Sequence, residues 1–176
     1  MRKPLLAIAT AVAGLGMVAA TSLPALAVDT DVTFSITGAG LTISAPTTAN
    51  LGSVASGTTS VSGEIGPVTV TDDRATLNGS WSATAISTDF TTGGGTGPET
   101  IGDINVTYSP GPATSTTGEG TFTPGPGGII NVPRVAFTGT DLIGNNTATW
   151  NPTVTVAIPS AAVGGTYSGT VTHSVG

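Results

Sequence analysis

Segment after segment of this chain places an apolar residue at every second position, and that alternation constrains its fold more than any other feature. In DVTFSIT (31–37), Val32, Phe34 and Ile36 alternate with Thr and Ser; in GLTIS, Leu41 and Ile43 do the same. The pattern returns at Val68 and Val70, at Ile104, Val106 and Tyr108, at Val135 and Phe137, and at Val154, Val156 and Ile158. A last segment puts Tyr167, Gly169, Val171, His173 and Val175 in one phase. Successive side chains of a strand point to opposite faces, so each segment reads as a half-buried strand, apolar inward and hydroxyl-bearing outward. Beyond the first 27 residues no window has helical spacing with caps.

Gly and Pro clusters separate these segments, at 52–66, 91–99, 109–128 and 159–165. Residues 109–128 read as a long Pro/Gly/Thr-rich surface loop, the alternative being a loop that faces a ligand. About eight short strands so punctuated predict an all-β protein, an antiparallel β-sandwich of Greek-key connection, with a closed barrel as the alternative.

The N-terminus narrows the compartment. Arg2 and Lys3 precede an apolar run over 5–20, and Pro24 leads into Ala25-Leu26-Ala27. This is the pattern of a secretory signal peptide, 1–27, with cleavage expected before Val28; the alternative is a retained membrane anchor. The exported chain, 28–176, is long enough for one core and reads as a single domain. It lacks cysteine, so packing and not disulfides must hold it. Its only basic residues are Arg74 and Arg134, against all ten acids, a formal charge of −8. Such a surface argues against nucleic acid or an anionic membrane as partner, and no later segment is long and apolar enough to span a bilayer.

Catalytic chemistry finds few candidates. Nucleophilic or acid–base catalysis needs a base beside its nucleophile, and beyond residue 27 there is no Cys, no Lys and one histidine, His173, in phase with the core. A lone histidine without cysteine does not make a zinc site, and the acids lack calcium-loop spacing, so no metal or cofactor is expected. Asp72, Asp73, Asp89, Glu99 and Asp103 could supply a paired-carboxylate hydrolase, but they read better as solvated loop acids with one Asp–Arg pair. The chain reads as a non-enzyme.

Trp81 stands in a field of Ser, Thr, Ala and Gly, in phase with Ala83 and Ala85. Those small neighbours leave room for an indole packed inside, whose N–H would then need a partner; a binding platform is the equal alternative. Trp150 reads as core.

The segment VTVTDDRATLNGSWSATAISTDF (68–90) resembles the first signature region of the WxL surface domain of Gram-positive bacteria, through Val70, Asp73, Arg74, Gly79, Trp81, Asp89 and Phe90. The end of the chain is similar to that family's C-terminal region, through Pro159, Gly165 and Tyr167, and LGSVASG (51–57) resembles its early turn. Both signature triplets depart from the family pattern: Trp81-Ser82-Ala83 has Ala in place of Leu, and His173-Ser174-Val175 lacks the Trp. The resemblance implies a secreted protein held non-covalently on the cell wall, with peptidoglycan or another wall glycopolymer, and other exported surface proteins, as partners. It makes Trp81 and His173 candidate binding residues, and Asp73, Arg74, Asp89, Phe90 and Tyr167 motif residues, with Asp73–Arg74 the expected structural pair. The rival readings are a pilin-like or fibre-forming subunit, using residues 28–37 as a donor segment, and a small secreted hydrolase.

Overall fold

The computed structural model describes residues 28–176, so the signal-peptide segment lies outside the described residues. The chain divides into two units, Met1–Phe34 and Ser35–Gly176. In the described part of the first, residues 28–34 form neither helix nor strand. The strand expected at 31–37 is therefore not formed, and Val32, Phe34 and Ile36 are exposed rather than half-buried.

The second unit is all-β and antiparallel, as the alternation predicts. Its first sheet holds β1 (Leu41–Ser44), β3 (Val68–Ser87), β9 (Arg134–Trp150) and β7 (Ala113–Pro124) in that order, with β11 (Val171–Val175) also on β3. The second holds β2 (Ser60–Glu64), β10 (Thr153–Ala157), β6 (Val106–Ser109) and β8 (Gly128–Ile129). A small hairpin, β4 (Phe90–Thr91) with β5 (Thr100–Ile101), stands apart. Between the two main sheets the chain crosses at every step, with none of the hairpin-joined neighbours that a Greek key contains. Val68, Val70, Trp81, Ala83, Phe137 and Trp150 of the first sheet and Val106, Tyr108, Val154 and Val156 of the second are buried together in one core. Phe137 stacks on Trp150 with ring centroids 4.8 Å apart.

Two segments expected as loops are strands. β7 (Ala113–Pro124) lies within 109–128 and β2 (Ser60–Glu64) within 52–66. Both lie at sheet edges, and β7 has nearly every side chain exposed, so burial gave it no apolar period. The long β3 and β9 do not pair evenly. Their register shifts between Asp72 and Thr76, and again up to Trp81, and Ala75, Asn78 and Asp141 take positive φ there. Bulges of this kind bend a strand and re-aim its side chains.

Candidate functional site

Asp72 is fully buried beside this bulge and accepts hydrogen bonds from Arg74 through Nε at 2.8 Å, Nη2 at 2.9 Å and the backbone N–H at 3.1 Å. The guanidinium also donates to the Ser80 carbonyl at 2.8 Å, so one arginine fastens both ends of the irregular stretch. Its hydrogen bonds hold the Asp72 carboxyl below the usual carboxylate range. The structural pair is thus Asp72–Arg74 and not Asp73–Arg74. Residues two apart on a strand share a face whereas adjacent ones do not; Asp73 instead uses its backbone, bonding Ala39 and Gly40.

Asn146, itself buried, donates to Asp72 at 3.4 Å and accepts the indole N–H of Trp81 at 3.1 Å. Trp81 is 3% exposed and lies against Gly139 of β9, where a Cβ would come within 2.6 Å of the ring, and near Phe122 of β7, with centroids 6.2 Å apart. The binding role considered for Trp81 is therefore corrected: both faces of its indole are covered, and a sugar cannot stack on it. Its partners lie on β9 and β7, whereas β11, which carries His173, is on the opposite edge of β3. The two signature strands do meet, Val175 opposite Ala83, but Trp81 and His173 face different neighbours.

His173 ends a chain of hydrogen bonds. The Trp150 indole N–H donates to the Tyr108 hydroxyl at 2.9 Å, and that oxygen lies 3.1 Å from His173 Nε2. An indole only donates, so the Tyr108 oxygen accepts from Trp150, and the direction of its bond with Nε2 is set by the His173 tautomer: the hydroxyl donates when the ring proton is on Nδ1 and accepts when it is on Nε2. Burial lowers the His173 pKa and pushes the Tyr108 hydroxyl up to about 12, so both stay neutral at ordinary pH.

His173 also borders an open groove. Its larger part, about 790 Å³, is lined by Leu51, Val61, Phe90, Ile158 and Tyr167 together with hydroxyls of the 50–59 and 160–168 loops. A smaller part of about 310 Å³ shares Phe90 and Tyr167 and ends at Val171 and His173. Among the described residues no Asp, Glu, Lys or Arg lines either part. Phe90 packs against Gly169, where a Cβ would come within 2.8 Å of its ring, and Tyr167 donates to the Val163 carbonyl at 2.9 Å, with the Pro98 carbonyl at 3.2 Å. Two residues singled out as family motif positions, Phe90 and Tyr167, thus become the aromatic residues of the groove. Alternation marked Tyr167, in phase with Val171 and His173, but not Phe90, which sits in the two-residue strand β4.

Two more of the candidate acids are engaged by hydrogen bonds. Asp89 accepts the Asp103 backbone N–H at 2.8 Å, and Glu99 accepts the Thr96 hydroxyl and N–H, which lower its pKa. Among the described residues no three of His, Asp and Glu gather as metal ligands. Compared with family models, with curated proteins and with solved structures, the chain matches none.

Proposed function

We propose that this is an exported, non-catalytic surface protein that associates non-covalently with the bacterial cell wall and takes a neutral stretch of wall glycopolymer, such as peptidoglycan glycan, into the groove. The observation that carries the reading is the lining: two aromatic side chains, Phe90 and Tyr167, among hydroxyls and aliphatic groups, with no formal charge among the described residues. Sugars are held by ring faces and hydroxyl hydrogen bonds, and an uncharged site suits a partner approached by a strongly acidic protein. The pairing of β11 with β3 supports the WxL-like reading, since it makes neighbours of the two segments that carry the resemblance.

Co-sedimentation with purified sacculi tests it. The chain is expected in the pellet and soluble wall glycan fragments should release it, whereas a protein that stays in the supernatant at every concentration contradicts wall association. Release by salt but not by glycan would contradict the neutral groove as its site.

A further inference from the structure

The smaller part of the groove has an inner wall of different chemistry from its rim. Its hydroxyl-bearing residues Thr47, Thr48, Ser168 and Thr170 are all exposed. Its half-buried and buried lining is apolar or aromatic, with Leu51, Ile65, Val154 and Val171 beside Phe90 and Tyr167. Two polar side-chain groups interrupt that inner wall. The Tyr167 hydroxyl is already engaged with the Val163 and Pro98 carbonyls. The other is the His173 imidazole, whose Nε2 is bonded to Tyr108 and whose Nδ1 has no hydrogen-bond partner among the described residues. Tyr108 is buried and outside the groove lining, so the imidazole stands between the core and the groove.

The hydrogen bonds behind the ring set what Nδ1 offers. The buried Tyr108 hydroxyl accepts from Trp150, and among the described residues His173 Nε2 is the one acceptor for its own proton. A buried donor left without an acceptor is costly, which favours the tautomer with the hydroxyl donating to Nε2 and the ring proton on Nδ1. Burial lowers the His173 pKa and keeps the ring neutral. The groove then meets one uncharged N–H set in an apolar wall. Such a wall gives no counter-charge to a carboxylate or phosphate, and a bare hydroxyl would satisfy the N–H but leave the apolar surface uncovered. A group with one good acceptor and an apolar end suits both, and an amide carbonyl bearing a methyl is such a group. We propose, resting on the glycan reading above, that this part of the groove is a subsite for an acetamido substituent of the sugar. Its carbonyl accepts the His173 Nδ1–H, and its methyl packs on Leu51, Ile65 and Val171. Phe90 and Tyr167 line both parts of the groove, so a sugar ring held there has the larger part for the continuing glycan and the smaller for its substituent.

Calorimetry with two neutral oligosaccharides of one backbone tests it: tetra-N-acetylchitotetraose, and cellotetraose, which has a hydroxyl in place of each acetamido group. The chain from Val28 is expected to bind the acetylated one about tenfold or more tightly, and His173→Phe to lose that preference. Equal affinity for the two, or a preference that survives His173→Phe, overturns the subsite and leaves the glycan reading standing. Binding of neither overturns both. A measurement on the parent alone covers a His173→Phe chain that does not fold. Nitrogen NMR of the His173 ring should find the proton on Nδ1 and a shifted Nδ1 resonance when tetra-N-acetylchitotetraose is added. A proton on Nε2, or no shift at saturation, overturns the proposal.

Discussion

The two margins of the first sheet are finished in opposite ways. Toward β9 and β7, the Trp81 indole, Asn146, Asp72 and Arg74 form a hydrogen-bonded unit in which each polar group has a partner. Toward β11, Phe90, Tyr167, Val171 and His173 are only half-buried and border the groove. The difference teaches that size and rarity do not mark a binding residue. The most conspicuous side chain of the sequence closes one margin as scaffold, while the open margin is lined by the smaller rings of Phe90, Tyr167 and His173.

The sharpest way to break the closed margin is to remove its anchor. Trp81→Ala should cost about 3–5 kcal/mol of unfolding free energy in urea titrations, because Gly139 and Phe122 cannot refill the space. Asp72→Ala comes next, at about 2–3 kcal/mol, since it strips Arg74 and Asn146 of their acceptor.

Acid should separate the margins by pH. Burial lowers the His173 pKa from its ordinary 6.5, so on acidification the unfolded chain takes up the proton first. Its stability contribution is complete above pH 6.5 and falls as pH drops below it toward the folded pKa. Asp72, with its pKa held below the ordinary 3.8, keeps its contribution above that value and loses it only below. Thermal unfolding followed from pH 8 to 3 should therefore show two declines, and His173→Gln should remove the one that begins near 6.5. Smallest of all, Tyr167→Phe should change stability by about 1 kcal/mol or less, because the hydroxyl it removes bonds at an exposed site.

How much of this was legible depended on which residues the signal came from. Strands with one buried face, such as Val68 and Val70 or Val154 and Val156, announced themselves by period two. β7 did not, because an edge strand with both faces in solvent has no apolar phase to read. Ala83 and Ala85 correctly left room for Trp81 inside, but the residue that makes its berth, Gly139, is 58 positions away and becomes a neighbour only through the register of β3 with β9. The groove was illegible for the same reason: Leu51, Phe90, Tyr167 and His173 converge through sheet packing and through no local motif. Residues 31–37 mark the opposite limit: their alternation predicted a strand that does not form there.

The central claim, that the open margin binds and the closed margin supports, is tested most directly by sacculus co-sedimentation of two variants side by side, with the folding of each checked by thermal unfolding. Phe90→Ser is expected to lose about tenfold or more of wall retention while its fold persists, and Trp81→Phe to unfold at lower temperature yet pellet like the parent. Retention that survives Phe90→Ser and disappears in folded Trp81→Phe would contradict the account.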